Sequence, residues 1–259
     1  MKNIKINYTS SDIKNETLNC LNNKTRFSLL RMGDGEMILA NNIKDKIEYF
    51  SRKQIGRCLT ESELLTVQKD MVDSVLNSSV LGLPTNKHII QNPLWEELFN
   101  YYSNIKKDNL HKWVEKNYST IDAHFELLNS GDLFEILKNV SKIIIISPRD
   151  ISEKLLNKFP NINNIEYYSV PGEQTYEVIK NTDINIFDKI VEFRNIINSK
   201  DRGGELLLFG VGPFGKILGS DFANKNGVSL DLGSVFDLLV GKITRGAGKG
   251  ATSITKPIL

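Results

Sequence analysis

Short apolar runs recur along the chain, separated by segments long enough for helices, and this alternation predicts a parallel sheet with crossover helices. Six runs read as strands: Phe27–Arg31, Val80–Leu83, Lys142–Ser147, Ile165–Val170, Glu205–Phe209 and Val228–Leu232. Most are continuously apolar, as strands covered on both faces of a sheet must be. Each runs into a polar or glycine-rich turn: RMGDGE, GLPTN, SPRD, VPGEQ, FGVGPFG and DLGS. In an open α/β sheet ligands bind at the carboxyl ends of the strands, so these turns hold the candidate chemistry. The expected fold class is α/β, a mostly parallel sheet with flanking helices.

The segment Glu61–Asn77 has an acidic start and apolar residues at helical spacing, and Leu94–Asn104 and Leu110–Asn117 also read as helices. Aromatics gather in this middle section (Trp95, Phe99, Tyr101, Tyr102, Trp113, Tyr118), as core packing or as a platform for a sugar ring. The expected organisation is one domain over residues 1–259, with a Gly-rich basic tail at 244–259 that either frays or folds over a phosphate.

A net charge of +2 provides no global field for nucleic acid, so an anion must be held by local groups. At 40% hydrophobic residues the chain can bury a sizeable core. The polar start lacks the apolar middle of a signal peptide, and no run approaches the ~20 apolar residues of a membrane span. Cys20 and Cys58 are too few for a disulfide framework and lack zinc-site spacing, so a reducing cytoplasm is the expected location. Peripheral docking at the inner face of a membrane stays compatible with this composition. Oligomeric state is not readable from the sequence.

Two motifs carry the functional expectation. In Arg31-Met32-Gly33-Asp34-Gly35-Glu36, two carboxylates two residues apart can converge on one hard cation, Gly33 and Gly35 let the backbone come close, and Arg31 can pair with phosphate oxygens. That arrangement suits a nucleoside diphosphate with Mn²⁺ or Mg²⁺; an ordinary turn whose acids cap the next helix is the alternative. In the second motif Gly210, Gly212 and Gly215 form G-x-G-x-x-G after a strand, a helix is expected to begin at Lys216, and Asp231 follows twenty-one residues after Gly210. This spacing matches a dinucleotide fingerprint, with pyrophosphate on the helix N-terminus and the acid on ribose hydroxyls. Only 28 residues follow Asp231, too few for the rest of a dinucleotide domain, and Pro213 fits that turn poorly. A methyltransferase pocket and a phosphate- or glycan-facing loop are the other readings of these glycines.

Asp150 and Glu173 lie just past strand ends and are the candidate general bases toward an acceptor hydroxyl, with Asp122 a third acid of this kind; helix capping is the competing role for each. His88, His111 and His124 share no metal-ligand spacing, and Ser147 lies in no nucleophile elbow.

RMGDGE, read with LLLFGVGPFGKILGSDFANKNGVSLDLGSVFDLL, resembles bacterial glycosyltransferases of the GT-D fold, and the strand-end motifs fall in the same order over most of the chain. The resemblance implies a Rossmann-like sheet, a UDP-sugar or related nucleotide-sugar donor, and a glycan or glycoprotein acceptor in cell-surface polysaccharide or glycoprotein synthesis. It also implies that Asp34 and Glu36 stand where the family's metal-binding Asp-x-Glu motif stands. The family's aspartate-isoleucine-glycine-histidine run reads Asp231-Leu232-Gly233-Ser234 here, which marks a divergent branch. The leading expectation is therefore a metal-dependent glycosyltransferase. Its donor would be bound by Arg31, Gly33, Gly35, Gly210, Gly212, Gly215, Lys216 and Asp231. An NAD(P)-dependent oxidoreductase built on the glycine loop and Asp231, and a glycan- or nucleotide-binding module without turnover, are the alternatives.

Overall fold

The computed structural model describes residues 6–40, 47–48, 51, 58–91, 116–172 and 186–242. In chain order the elements are α1 (Ser10–Asn23), β1 (Phe27–Arg31), α2 (Asp34–Ala40), α3 (Glu61–Asn77), β2 (Val80–Leu83), α4 (Asn86–Gln91), β3 (Asn117–Thr120), α5 (Ala123–Asn129), α6 (Asp132–Leu137), β4 (Lys142–Ser147), α7 (Ser152–Lys158), β5 (Asn164–Ser169), α8 (Ile186–Asn198), β6 (Leu206–Phe209), α9 (Gly212–Asn224), β7 (Val228–Asp231) and α10 (Val235–Leu239). The seven strands form one sheet in the order β3-β2-β1-β7-β6-β4-β5, with every pairing parallel.

Local sequence accounts for the best-defined ends. Thr9 and Asp12 form a capping box on α1, and Thr60 and Glu63 form one on α3, which starts and stops where the acidic, periodic segment predicted. Along the strands successive side chains alternate between faces, producing two apolar layers. Leu30, Leu81, Ile144, Ile146, Leu207 and Phe209 pack with α2, α3, α8 and α9. Leu29, Val80, Ile143, Ile145, Leu208 and Leu230 pack with α1, α5, α6, α7 and α10 on the other face.

The six strands read from the sequence are present, with ends displaced by one residue in β5, β6 and β7. The seventh, β3, departs from expectation: Asn117, placed at the end of a helix by its spacing, opens a strand paired to β2. Its sequence, NYST, is short and polar, and it lies at the sheet margin with its two middle residues buried. Backbone N–H groups of Asn7 and Tyr8 both donate to the Tyr118 carbonyl at 3.0 Å, and Tyr118 N–H donates to Asn7 Oδ1 at 3.1 Å, so a leading segment lies along this margin. The proposed helix Leu94–Asn104, the aromatics at 95–113 and the tail at 244–259 lie outside the described residues. No helix among the described residues is long and apolar enough to cross a membrane.

Topology sets the position of the site. After β1 the chain passes to the α2–α3 face, and after β7 it passes to the α10 face, although β1 and β7 are neighbours. Divergence of this kind opens a crevice at the carboxyl ends of the two central strands. The helix that follows β6 lies unusually close to the sheet. A Cβ on Gly215 would stand 2.5 Å from Phe209 Cδ2, and one on Gly219 would stand 2.7 Å from Phe209 Cε1. Gly215→Ala is therefore expected to destabilise the protein by about 1–3 kcal/mol through overpacking. Urea denaturation checks this, and Phe209→Leu in the same background should recover part of the loss.

Candidate active site at the central strand ends

Arg31 ends β1 and Asp231 ends β7, so sheet registration brings them to the crevice side by side. Arg31 Nε donates to the Asp231 carbonyl at 3.1 Å and Nη2 to Asp231 Oδ1 at 2.9 Å. Nη1 donates to the Ile121 carbonyl at 3.2 Å and lies 2.9 Å from His124 Nδ1. Two glycines make room for this side chain. Gly82, its register partner on β2, would place a Cβ 2.9 Å from Arg31 Cγ, and Gly233, at φ +46°, would place one 2.3 Å from Nη2.

The second oxygen of Asp231 faces Lys216 Nζ at 2.7 Å, and the same ammonium meets Glu36 Oε1 at 2.8 Å and the Gly212 carbonyl at 3.3 Å. Glu36 Oε2 accepts the Gly33 N–H at 2.8 Å. The result is an alternating chain, Arg31–Asp231–Lys216–Glu36, with two cations matched by two carboxylates. Asp231, Lys216 and Glu36 are each at most 4% exposed. Removing charges from water is costly, and only close pairing with satisfied hydrogen bonds makes such a centre tolerable.

Burial opposes ionisation of Asp231, but Arg31 and Lys216 outweigh it and hold the carboxyl below its ordinary range. Burial likewise disfavours the Lys216 ammonium, and Asp231 and Glu36 overcome this to raise its pKa. His124 has no anion to offset its burial: desolvation, then the nearby Arg31 and Lys216 charges, push its pKa well below 6.5, so the ring stays neutral beside the guanidinium.

The residues expected to hold a donor fall into three groups. Arg31, Lys216, Asp231 and Glu36 meet, but chiefly each other. The Asp231 carboxylate, expected on ribose hydroxyls, is filled by Arg31 and Lys216. Helix α9 begins at Gly212 rather than Lys216, with Pro213 in its first turn where no N–H is needed, so Lys216 lies one turn inside and points into the centre. Gly212 adopts φ +55°, Gly210 lies against Phe236 and the Gly233 carbonyl, and Gly215 against Phe209, so each glycine of the loop has a conformational or packing reason. Gly33 and Gly35 flank the start of α2, where a Cβ on Gly33 would stand 2.9 Å from Glu36 Oε2.

Asp34 opens α2, but its side chain lies outside the described residues, as does the whole of Glu173. Asp150 lies just before Ile151, the N-cap of α7, and its Oδ1 accepts the Ser152 N–H at 2.9 Å. Among the described residues no group of three or more His, Cys, Asp or Glu side chains is placed to hold a metal, and both Glu36 oxygens are occupied by Lys216 and Gly33. As they stand, these side chains do not form a cage for Mn²⁺ or Mg²⁺.

Two contacts escaped the sequence reading. One is the Lys216–Glu36 pair, made by residues 180 positions apart. The other is His88, whose ring joins Thr85 to Asp122 across the ends of β2 and β3. The only local hint was Thr85-x-x-His88, a capping-box spacing with histidine at the third helical position.

The sequence matches the model of the GT-D fold-like domain over residues 8–239. The chain belongs to that family. No curated protein matches it. Among solved structures, the GT-D chain is similar to one described as the highly conserved domain of unknown function 1792 with a distinct glycosyltransferase fold (16% identity, 86% of this chain and 78% of that one, TM-score 0.48). A selenomethionine structure of the same domain is 15% identical over 95% of this chain and 90% of that one, with TM-score 0.49. A glycosyltransferase of that type from Streptococcus sanguinis is 16% identical over 94% and 92%, with TM-score 0.46. The assignment rests on the family match.

Lys216→Met would leave Asp231 and Glu36 buried against a single guanidinium, and a loss of about 3–5 kcal/mol in chemical denaturation is expected. His124 predicts a pH effect. Below its ordinary value of 6.5 the unfolded chain takes up a proton that the folded ring refuses, so stability falls as pH drops. Between pH 6.5 and about pH 5 the wild type should lose up to about 1.4 kcal/mol per pH unit more steeply than His124→Asn, measured as the difference between the two slopes.

Proposed function

We propose that this GT-D chain is a glycosyltransferase that moves a sugar from a nucleoside diphosphate donor, UDP-linked in the first instance, to a hydroxyl of a cell-surface glycan or glycoprotein. The observation that carries the reading is the family match across residues 8–239, joined to a crevice at the ends of β1 and β7 where charge is concentrated. The same match lends no support to the oxidoreductase alternative, whose ribose-binding acid is engaged by Arg31 and Lys216.

In glycosyl transfer the bond to the diphosphate breaks as positive charge builds on the sugar ring, so the protein must stabilise the departing anion and orient the incoming hydroxyl. The start of α9, which has no side-chain cap, offers backbone N–H groups and the positive end of a helix dipole beside Lys216. Arg31 and Lys216 keep the floor of the crevice charged and rigid, while His124, neutral, adds no competing cation. A divalent ion at Asp34 and Glu36 is the part of the expectation that the described side chains favour least, because Lys216 already balances Glu36.

Calorimetric titration of UDP in Mn²⁺ and in EDTA, with NADH as the control ligand, tests the reading. UDP binding without NADH binding is expected. Metal-dependent binding lost in Asp34→Ala/Glu36→Ala would assign the ion to that motif. Binding unchanged by chelator would leave the anion to the helix N-terminus and the two cations. NADH binding alone would overturn the proposal.

A further inference from the structure

On the same glycosyltransferase reading, we propose that Asp122 is the base that takes the proton from the acceptor hydroxyl, held in position by His88. Asp122 occupies the N-cap of α5, where an aspartate ordinarily accepts a hydrogen bond from the first turn, yet it makes no side-chain cap. Its Oδ2 instead receives His88 Nε2 at 2.8 Å. The other ring nitrogen, Nδ1, accepts the Thr85 backbone N–H at 3.1 Å and lies 2.7 Å from Thr85 Oγ1. An Nδ1 that accepts an N–H places the ring hydrogen on Nε2, so Thr85 sets the tautomer and the imidazole donates to the carboxylate. Asp122 Oδ1 has no partner among the described residues, and its side chain is 47% exposed.

Asp150 provides the contrast: it also follows a strand, but its Oδ1 accepts a backbone N–H, the first of α7, where Asp122 Oδ2 meets a side chain. Position supports the assignment as well. The carbonyl of the preceding residue, Ile121, receives Arg31 Nη1, so the acid is tied to the charge centre through one peptide unit. In the sheet β3 is two strands from β1, a separation of about 10 Å. Donor diphosphate at the β1, β7 and β6 ends and acceptor at the β2 and β3 ends would meet across that gap.

The step balances as follows. The acceptor oxygen bonds to the anomeric carbon while the bond from that carbon to the diphosphate oxygen breaks, its electron pair leaving with the diphosphate. The acceptor proton passes to Asp122 Oδ1, and the resulting acid returns it to water. His88 keeps its Nε2 proton throughout and is a positioning residue.

The test uses the full chain with UDP-glucose and UDP-N-acetylglucosamine as donors, p-nitrophenyl β-glucoside and water as acceptors, and UDP titration as a separate readout. Asp122→Asn and Asp122→Ser should bind UDP like the wild type and lose about a hundredfold or more in kcat. His88→Gln, which retains an N–H for the carboxylate, should keep most of kcat, and His88→Ala should not, with KM for donor unchanged in both. Wild-type rates in the Asp122 variants overturn the base while leaving the glycosyltransferase reading intact. Absence of both UDP binding and turnover in the wild type overturns that reading and the base with it.

Discussion

The contact on which the rest of the site depends is the pair between Arg31 and Asp231. It joins the ends of two adjacent strands that send the chain to opposite faces of the sheet, and both partners are the last residues of their strands. Asp231 then has one oxygen left, which fixes Lys216, and Lys216 fixes Glu36 at the start of α2. Four charges from β1, β7, α9 and α2 thus define the crevice floor in sequence, each restricting the next. A floor assembled this way resists relaxation when an anion arrives, which is the condition under which fixed charges lower a barrier.

Charge balance also separates the acids near the strand ends by role. Glu36 and Asp231 are buried and matched, so they belong to the scaffold of the crevice as drawn. Asp150 is exposed but spent on a helix end. Asp122 is the one whose local duty has been transferred: α5 begins without its help, and a histidine from another strand end holds it outward. Four acids with the same nominal chemistry are thereby given different reach toward a ligand.

Much of this architecture was legible in the chain. Buried parallel strands are mostly continuous apolar runs, so six of the seven stood out from their neighbours, and the acidic start of α3 marked a helix whose ends held to the residue. What escaped was short or long-range. NYST is too polar and brief to register as a strand, because at a sheet margin the pairing partner, not the side chains, makes it one. The glycine loop was read for ligand contact; Gly210 and Gly215 also lie against Phe236 and Phe209, aromatic neighbours invisible to spacing. Lys216 was expected to open the helix; with Pro213 in its first turn the helix starts earlier, at Gly212, and Lys216 lies one turn inside. Carboxylates in a turn suggested a divalent ion, and spacing gave no sign that Glu36 also meets Lys216, 180 positions away.

The segment along β3 has a consequence for how the protein behaves in a crowd. A strand at a sheet margin offers unpaired backbone groups to any extended chain, including another copy of itself. Asn7 and Tyr8 meet the Tyr118 carbonyl, and Asn7 also takes its N–H, so the middle of the margin is already occupied. These few residues act as a guard against strand addition. Their loss would matter first to colloidal behaviour, well before it touched the chemistry at the other end of the strands.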